Sequence, residues 1–346
     1  MKILFMGTPD FSVPALKTIA EHHEVVGVVT QADKPKGRGL EVQHTPVKEC
    51  ALELGLDVYQ PEKVSDPEFV QKIKEMNPDA IVVIAFGQIL SKEVLDLPKY
   101  GCINVHASLL PEYRGAAPIQ WAIINNDYET GVTTMLMNEG LDTGDIIDQR
   151  KIKIDIKETG GSLFDKLATE GAGLIIETLE KLENGTATFT PQDDDESSYA
   201  KKITKSLGEI DWSKGGYEVD ALIRGCNPWP SAYTYLDGKM LKIWDAEPII
   251  VDGHNTDFVT LMEIKEKIDD PEQGMVAGVA KDYFLVRSGF ENLDSMLQSY
   301  EKEGVTVLDG GVSWLKVNEV QLEGKKRMSA KDFMNSHDLL GKKLGR

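Results

Sequence analysis

The sequence has few cysteines and no cysteine pair. Its 346 residues include only Cys50, Cys102 and Cys226, an odd number at scattered positions. Such a set argues against a disulfide framework and predicts a protein of the reducing cytosol. Neither a C-x-x-C nor an H-E-x-x-H pattern is present, so a zinc site has no support and no metal is expected.

Long apolar runs are also missing. No stretch approaches the ~20 residues that a membrane-spanning helix needs. The opening residues, MKILFMGTPD, reach a turn soon after the apolar run, which predicts a first β-strand rather than a secretion signal. A cytoplasmic location is therefore expected.

Phosphate-binding loops and a surplus of positive charge are absent as well. The turn GTPDF after the first strand is not G-x-G-x-x-G, and no P-loop occurs, so no motif indicates a nucleotide cofactor. The net charge of -19 argues against nonspecific polyanion binding by the whole surface. Local basic stretches remain at residues 33–39 and 324–346, the second with seven Lys and Arg against two Asp. Taken alone, such a tail is explained equally well as a solvated surface and as a site for a polyanion.

The first half of the chain alternates short apolar runs with segments of helical spacing. The runs include KILFMG, HEVVGVVT, LDVYQ, DAIVVIAFG and CINVHAS, and the helical segments include VPALKTIAEH and DPEFVQKIKEMN. Alternation of this kind predicts an α/β fold with a Rossmann-like parallel sheet and helices on both faces. GVTTMLM and the residues after it add further strands, and a long helix is expected over about residues 162–183.

The second half follows a different pattern. Residues 189–206 lack periodicity and contain a run of acids, which predicts a linker between domains at 1–188 and 207–346. Beyond it, Asp237-Gly238 lies between alternating runs and predicts a tight hairpin turn. Later alternating runs predict more strands of a small barrel or sandwich.

One strand carries polar side chains where a core strand should be apolar. Asn104 and His106 are two residues apart, so they project to the same side at the carboxyl end of a predicted parallel strand, where open α/β sheets bind ligands. Asp142 lies in a glycine-flanked loop after the next strand. A plainer explanation is a core histidine that bonds the neighbouring amide. Neither Ser108 nor any cysteine has a sequence partner that would activate it as a nucleophile, which leaves direct transfer assisted by acid–base and oxyanion groups.

These motifs carry a family resemblance. INVHASLLPEYRGAAPIQWAI together with ETGVTTMLMNEGLDTGD resembles the formyltransferases that use 10-formyltetrahydrofolate. VTQADKPKGRG, NPWPSAYTYLDGK and GKKRMSAKDF extend the resemblance over most of the chain. They favour the members that formylate methionyl initiator tRNA for translation initiation.

The resemblance implies site residues. Asn104, His106 and Asp142 match the family's catalytic trio. The folate-contacting loop corresponds to Ser108, Leu109, Leu110 and Pro111, and the wall of the pterin pocket to Phe86, Gly87 and Ile89. Thr133 is a candidate hydrogen-bonding neighbour, although threonine on a strand has a plain β-propensity explanation. Arg114 is either a ligand contact or a tie that holds its loop to a neighbouring carbonyl.

The resemblance also implies the acceptor. Residues 31–48 resemble the loop with which the family grips the acceptor end of initiator tRNA, with Lys34, Lys36 and Arg38 as contacts on a loop that is flexible until RNA binds. The C-terminal domain resembles an OB-like tRNA-binding barrel, and the basic tail lies near its end. Acidic stretches around residues 251–273 and 289–303 depart from the family pattern, and we interpret them as insertions turned away from RNA.

Three other functions stay open. A sugar-amine formyltransferase shares the trio, a formyltetrahydrofolate hydrolase replaces the amine by water, and a catalytically silent folate- or RNA-binding module keeps only the fold. A monomer that takes folate as a co-substrate and contacts no membrane is expected.

Overall fold

The computed structural model describes residues 1–36, 41–251, 266–268, 271–290 and 312–345. The chain divides into two compact units. The first unit comprises Met1–Pro118, Glu129–Lys153 and Ser162–Lys201. The second comprises Ile119–Tyr128, Ile154–Gly161 and Lys202–Arg346. In the part of the chain that the structure describes, no helix has both the length and the apolar character that crossing a bilayer requires.

The elements up to residue 201 follow the predicted alternation. The strands are β1 Lys2–Gly7, β2 Glu24–Val29, β3 Lys34–Lys36, β4 Glu41–Gln43, β5 Val58–Tyr59, β6 Ala80–Ile84, β7 Cys102–His106, β8 Arg114–Gly115, β9 Glu129–Leu136, β10 Asp145–Lys153 and β11 Tyr199–Ala200. The helices are α1 Val13–His22, α2 Pro46–Glu53, α3 Pro67–Met76, α4 Lys92–Leu95, α5 Pro118–Ile124 and α6 Gly160–Glu183. The helix predicted over residues 162–183 is therefore confirmed with a slightly earlier start.

The main sheet of the first unit has the order β10-β9-β7-β6-β1-β2-β5. The five strands from β5 to β7 are parallel, whereas β9 runs antiparallel to β7 and β10 antiparallel to β9. The predicted parallel sheet thus forms its larger part.

Helices cover both faces of this sheet. Val70 and Ile73 of α3 pack with Cys102 of β7 in one buried cluster. On the opposite face, a Cβ placed on Gly171 of α6 would lie 3.0 Å from the Val105 side chain. Because side chains alternate along a strand, Asn104 and His106 share the face of Cys102 and project from it at the carboxyl end.

The second unit is built on an antiparallel sheet. Its strands are β12 Ala232–Leu236, β13 Lys239–Val251, β14 Glu266–Lys267, β15 Val276–Val279, β16 Phe284–Phe290, β17 Val312–Leu322 and β18 Met328–Ser329, and its later helices are α7 Gly216–Gly225 and α8 Ala330–Met334. The sheet order is β12-β13-β17-β16-β15-β14, with β18 beside β17. The predicted turn joins β12 to β13, and Asp237 and Gly238 have φ of 48° and 77°.

The C-terminal segment, residues 341–345, closes this sheet into a barrel. Lys343 forms an antiparallel bridge with Met275 next to β15. On the other side, the Gly345 amide donates to the Tyr235 carbonyl of β12 at 2.9 Å. The segment therefore joins the two sides of the sheet, so of the two alternatives, barrel and sandwich, the barrel is present.

The predicted linker is more ordered than its composition suggests. Thr190 bridges Ile146 of β10, and β11 pairs in parallel with β8. These contacts place residues 190–200 against the first unit, and the compact unit extends to Lys201. Of the predicted acidic insertions, residues 252–265, 269–270 and 291–303 lie outside the described residues.

Candidate active site

The polar pair of β7 lies at the carboxyl end of its strand. Asn104 pairs with Val83 of β6 and Met135 of β9, while His106 pairs with Thr133 of β9. Asn104 is half-buried, and its side-chain amide has no hydrogen-bond partner among residues that the structure describes. The amide is therefore available to a ligand, and it does not satisfy His106 as the core-histidine explanation requires.

Both ring nitrogens of His106 face a defined neighbour. Nε2 lies 2.9 Å from the backbone carbonyl oxygen of Tyr113. Because a carbonyl oxygen can only accept, Nε2 carries the proton of that hydrogen bond. Nδ1 lies 3.9 Å from Oδ1 of Asp142, a distance too long for a direct hydrogen bond. The ring is thus fixed at one nitrogen, and the other faces a carboxylate across a short gap.

The Asp142 carboxylate is positioned by an unusual backbone conformation and by a hydrogen bond from one backbone amide. Its φ of 54° lies in the left-handed region, which aspartate tolerates better than most residues. Oδ2 accepts a 2.8 Å hydrogen bond from the Gly115 amide, which leaves Oδ1 for the His106 side. The loop before it is shaped by Asn138, whose Oδ1 accepts from the Gly140 amide at 2.9 Å. The structure therefore brings His106 and Asp142 together, as the sequence predicts.

The segment that holds both groups is residues 113–115. Tyr113 supplies the carbonyl for His106, and Gly115 supplies the amide for Asp142. Gly115 has a φ of +112°, and a Cβ there would lie 2.6 Å from the Tyr199 ring, so only glycine fits. The segment pairs with residues 198–200, where the Arg114 amide donates to the Ser198 carbonyl at 2.9 Å.

Gln192 and Arg114 complete the polar layer beside Asp142. Gln192 Nε2 donates to the carbonyls of Asp142 at 2.9 Å and Gly144 at 2.7 Å. Its Oε1 accepts from Arg114 Nε at 3.0 Å, and Arg114 Nη1 pairs with Asp194 at 2.8 Å. Arg114 ties the loop through a side-chain amide and a carboxylate, while its buried Nη2 has no partner among the described residues, so both alternatives for Arg114 stay open. Sequence reasoning missed Gln192 because it lies in an acidic stretch without periodicity.

The predicted folate loop, residues 108–111, is anchored by Thr133. The threonine hydroxyl donates to the Ser108 carbonyl at 2.7 Å and accepts from the Leu110 amide at 3.1 Å. Gln149 of β10 donates to the Leu110 carbonyl at 2.8 Å and to the same hydroxyl. Ser108 Oγ donates to the Glu112 carbonyl, so this hydroxyl is engaged within its own loop. Thr133 thus acts on the loop backbone, and Gln149 is a second residue that the sequence did not indicate.

The predicted pterin wall follows β6. The Phe86 ring is buried in the cluster shared with α3, while its carbonyl accepts from Thr8 Oγ1 and Gln31 Nε2, each at 3.0 Å. Gly87 has a φ of +81°, and Ile89 is 88% exposed. Exposure of so large an apolar side chain leaves it free to pack against a ligand.

The predicted tRNA loop is partly a hairpin. β3 and β4 pair in antiparallel register, with Lys34 opposite Gln43 and Lys36 opposite Glu41. Arg38 belongs to residues 37–40, which lie outside the described part of the chain. The arms of the predicted loop are therefore paired strands in this structure.

A charged cluster fixes the base of this hairpin. Asp33 accepts hydrogen bonds from Lys48 Nζ at 2.6 Å, Gln60 Nε2 at 2.8 Å and His44 Nδ1 at 2.9 Å. The Lys48 hydrogen bond, with help from Gln60 and His44, lowers the pKa of Asp33 to about 2. The carboxylate is therefore charged at any physiological pH.

Much of the basic tail is neutralised inside the second unit. Four of its cations pair with carboxylates: Arg327 with Glu319, Lys331 with Asp282, Lys342 with Asp237 and Lys343 with Glu272. The last two lysines belong to the segment that closes the barrel. These pairs reduce the positive charge that the tail offers to a polyanion.

The cysteines are unsuited to nucleophilic chemistry. All three thiols are free and buried. Burial raises the pKa of Cys102 and of Cys226 to about 12 and also raises that of Cys50. A thiol in this state is not the thiolate that attacks carbon at neutral pH.

Comparison with known families covers both halves of the chain. A family model described as formyl transferase matches residues 1–179, and a model described as formyl transferase, C-terminal domain, matches residues 202–338. The first match includes every residue of the predicted trio.

Close relatives match along almost the full chain. A protein of Agathobacter rectalis is 50% identical over 335 residues, which are 96% of each chain. One of Lachnospira eligens is 50% identical over 340 residues, 98% of each chain. Both relatives are named methionyl-tRNA formyltransferase.

Two solved structures share the fold. One is a sugar 3N-formyl transferase determined in the presence of dTDP and 5-N-formyl-THF, with a TM-score of 0.60 and 20% identity over 94% of this chain and 99% of that one. The other is an N-formyltransferase of Helicobacter canadensis in complex with folinic acid, with a TM-score of 0.58 and 21% identity over 84% and 96% of the two chains. At such identities the likeness concerns the fold alone.

Proposed function

The chain belongs to the formyl transferase family, and we propose that it transfers the formyl group of 10-formyltetrahydrofolate to the α-amino group of methionyl initiator tRNA, for translation initiation. Relatives of that name at 50% identity support the choice of acceptor. The observation that carries the chemistry is the meeting of His106 and Asp142 at 3.9 Å, beside an Asn104 amide with no described protein partner.

The reaction needs an oxyanion site and a path for one proton. The acceptor amine attacks the formyl carbon on folate N10, and the carbonyl oxygen becomes negatively charged in the tetrahedral intermediate. Asn104 donates a side-chain N–H to that oxygen. Fixed donors of this kind are worth ~10²–10³ in rate, because they meet charge that exists only in the transition state.

His106 has one nitrogen left for this chemistry. Nε2 is engaged by the Tyr113 carbonyl, so Nδ1, which lies 3.9 Å from Asp142 Oδ1, is the nitrogen left for the transferred group. When the imidazole is protonated at both nitrogens, Nδ1–H is a second donor to the oxyanion. Its direction is set by the fixed ring.

Asp142 accepts the proton of the attacking amine and then donates it to the leaving nitrogen. Its Oδ2 is held by the Gly115 amide, and Oδ1 receives the proton from the attacking amine, directly or through water. The same proton then passes to N10 as the C–N10 bond breaks, which yields the formamide and tetrahydrofolate. An α-amino group has a reference pKa of about 7.7–8.0, so a neutral amine is accessible near pH 7.

The folate co-substrate contacts the anchored loop of residues 108–111 and the segment that carries Phe86, Gly87 and Ile89. The loop is held by Thr133 and Gln149, and Ile89 offers an exposed apolar side chain. Pre-ordered loops of this kind reduce the conformational entropy that binding must overcome.

The hairpin of β3 and β4 supports recognition of the tRNA acceptor end. Lys34, Lys36 and Arg38 supply phosphate or base contacts, and the Asp33 cluster fixes the base of the hairpin. Phosphate contacts of this sort position the RNA, whereas base contacts select it.

One assay tests the proposal. Purified protein is incubated with 10-formyltetrahydrofolate and Met-tRNA, and formyl-Met-tRNA is quantified, with a 3-amino sugar nucleotide and with water as competing acceptors. Formation of formyl-Met-tRNA at enzymatic rates supports the proposal. Three other results would each refute the proposal and assign the protein to one of the other functions. They are a formylated sugar, folate hydrolysis without an acceptor, and binding without turnover.

A further inference from the structure

We propose that Gln192 is a positioning residue of the transfer reaction and acts through Asp142. The inference rests on the proposed function, because it concerns the same site. Gln192 lies in the anchoring segment, residues 192–200, which the sequence predicts to be part of a linker. This segment contacts both loops that hold the reacting groups.

The Gln192 amide binds the backbone at the reactive carboxylate and two residues after it. Its two N–H groups donate to the Asp142 carbonyl at 2.9 Å and the Gly144 carbonyl at 2.7 Å. Asp142 has a left-handed backbone with a φ of 54°, a conformation that costs free energy for a residue with a Cβ. The two hydrogen bonds, to the Asp142 carbonyl and to the Gly144 carbonyl, compensate for that cost and fix the direction of the side chain.

Arg114 determines which way the amide points. Its Nε donates to Gln192 Oε1 at 3.0 Å. If the amide were rotated by 180°, its NH₂ would face the guanidinium and its oxygen would face two carbonyls, so both contacts would be repulsive. Arg114 is in turn 9% exposed and fixed through its backbone amide to Ser198.

The same segment reaches His106. Ser198 Oγ accepts from the Tyr113 amide at 2.8 Å, and the Tyr113 carbonyl is the partner of His106 Nε2. The anchoring segment therefore constrains the imidazole through Ser198 and Tyr113, and it constrains Asp142 through Gln192. In this way the segment controls the 3.9 Å distance between His106 Nδ1 and Asp142 Oδ1.

The decisive variants are Gln192→Leu and Gln192→Glu. Leucine has a similar volume and no donors, and glutamate keeps an acceptor for Arg114 while it turns oxygen toward two carbonyls. A shift of about 1 Å in a reacting group costs as much as ~10²-fold in rate. We expect kcat to fall by about 10–100-fold, with KM for both substrates within about threefold of wild type. Gln71→Leu, at an exposed site on α3, is the matched control and should keep the wild-type kcat.

A double-mutant cycle distinguishes positioning from general stabilisation. In an Asp142→Asn background, where the base is already lost, Gln192→Leu should lower single-turnover rates by less than about threefold, because coupled residues are not additive. Hydrogen exchange supplies a readout that does not need activity. The Gly115 amide, which donates to Asp142, should exchange at least about tenfold faster in Gln192→Leu, while amides of β6 stay protected.

The inference and the proposed function fail in different ways. Absence of formyl-Met-tRNA with wild-type enzyme would refute the function, and the exchange of Gly115 would still decide the role of Gln192. Any one of three results would overturn the inference. They are a wild-type kcat in Gln192→Leu, the same fold loss from Gln192→Leu in the Asp142→Asn background as in wild type, and an unchanged exchange rate of the Gly115 amide.

Discussion

His106 donates through Nε2 to the carbonyl oxygen of Tyr113, seven positions along the chain, at 2.9 Å. The partner is a backbone atom, so no side-chain substitution at position 113 removes it directly. The orientation of the ring therefore depends on the path of residues 113–115, which in turn depends on the pairing of β8 with β11. The orientation of the His106 ring is therefore set by a hydrogen bond to the backbone.

Asn104→Ala tests the oxyanion site. The asparagine amide lacks a described protein partner, so its removal leaves no buried group unsatisfied and should change the melting temperature little. We expect kcat to fall by about 10²–10³ with KM for both substrates nearly unchanged. Steady-state and single-turnover kinetics provide the measurement. Wild-type turnover in the folded variant would remove Asn104 from the mechanism.

Asp142→Asn tests the proton path. The amide oxygen still accepts from Gly115, so the loop keeps its shape, but the side chain can no longer take a proton from the attacking amine. We expect a loss of kcat of at least about 10², which is within the range typical of general acid–base groups. Circular dichroism should report an unchanged fold. Activity close to wild type would show that another base serves the amine.

Thr133→Val tests the anchor of the folate loop. Valine matches threonine in shape, but the Ser108 carbonyl, the Leu110 amide and Gln149 lose their shared partner. The free energy of unfolding should fall by about 1–3 kcal/mol, the usual cost of unsatisfied buried groups. KM for the folate should rise by several-fold, whereas KM for tRNA stays constant. Val132→Thr, a swap at the adjacent buried position, is the control for general damage; an unchanged folate KM in Thr133→Val would contradict the assignment.

The regular parts of this architecture follow from local patterns. Period-two and helical spacings locate β1, β6, β7 and α6, and the same period places Asn104 and His106 on one face. The site could be predicted to that extent because strand geometry is local. The relation of Asp142 to His106 was implied by the family resemblance, because β9 runs antiparallel to β7 and the carboxyl ends of the two strands do not share an edge.

The parts that escaped prediction depend on non-local contacts without periodicity. Gln192 bonds carbonyls 50 and 48 positions earlier, from a segment whose acids carry no pattern. In the basic tail, Lys342 pairs with Asp237, 105 positions away. Such pairings are decided by the assembled barrel, so sequence reasoning has no local signal for them.

Asp33→Asn tests the hairpin base and carries a pH signature. The folded pKa of Asp33 is about 2, below its ordinary value of 3.8, so its contribution to stability is present above about pH 4 and is lost as pH falls toward 2. The variant should be less stable than wild type by about 1 kcal/mol at pH 7, and the difference should vanish near pH 2. Chemical denaturation at a series of pH values measures it. A difference independent of pH would show that the Lys48 pairing does not contribute.

The double variant Lys34→Ala, Lys36→Ala tests whether the β3–β4 hairpin contacts RNA phosphates. Each phosphate contact adds about 0.7–0.9 to the slope of log K against log salt, because binding releases condensed counterions. Removal of two contacts should lower the magnitude of that slope by about 1.5 and weaken Met-tRNA binding most at low salt. The matched control is Lys74→Ala, Lys92→Ala, which removes two exposed lysines that already pair with Glu93 and Asp96. Filter-binding titrations between low and physiological salt measure both slopes. An equal slope in the hairpin variant and in the control would show that the lysines at positions 34 and 36 do not contact phosphate, and the acceptor would then be held by other cations of the chain.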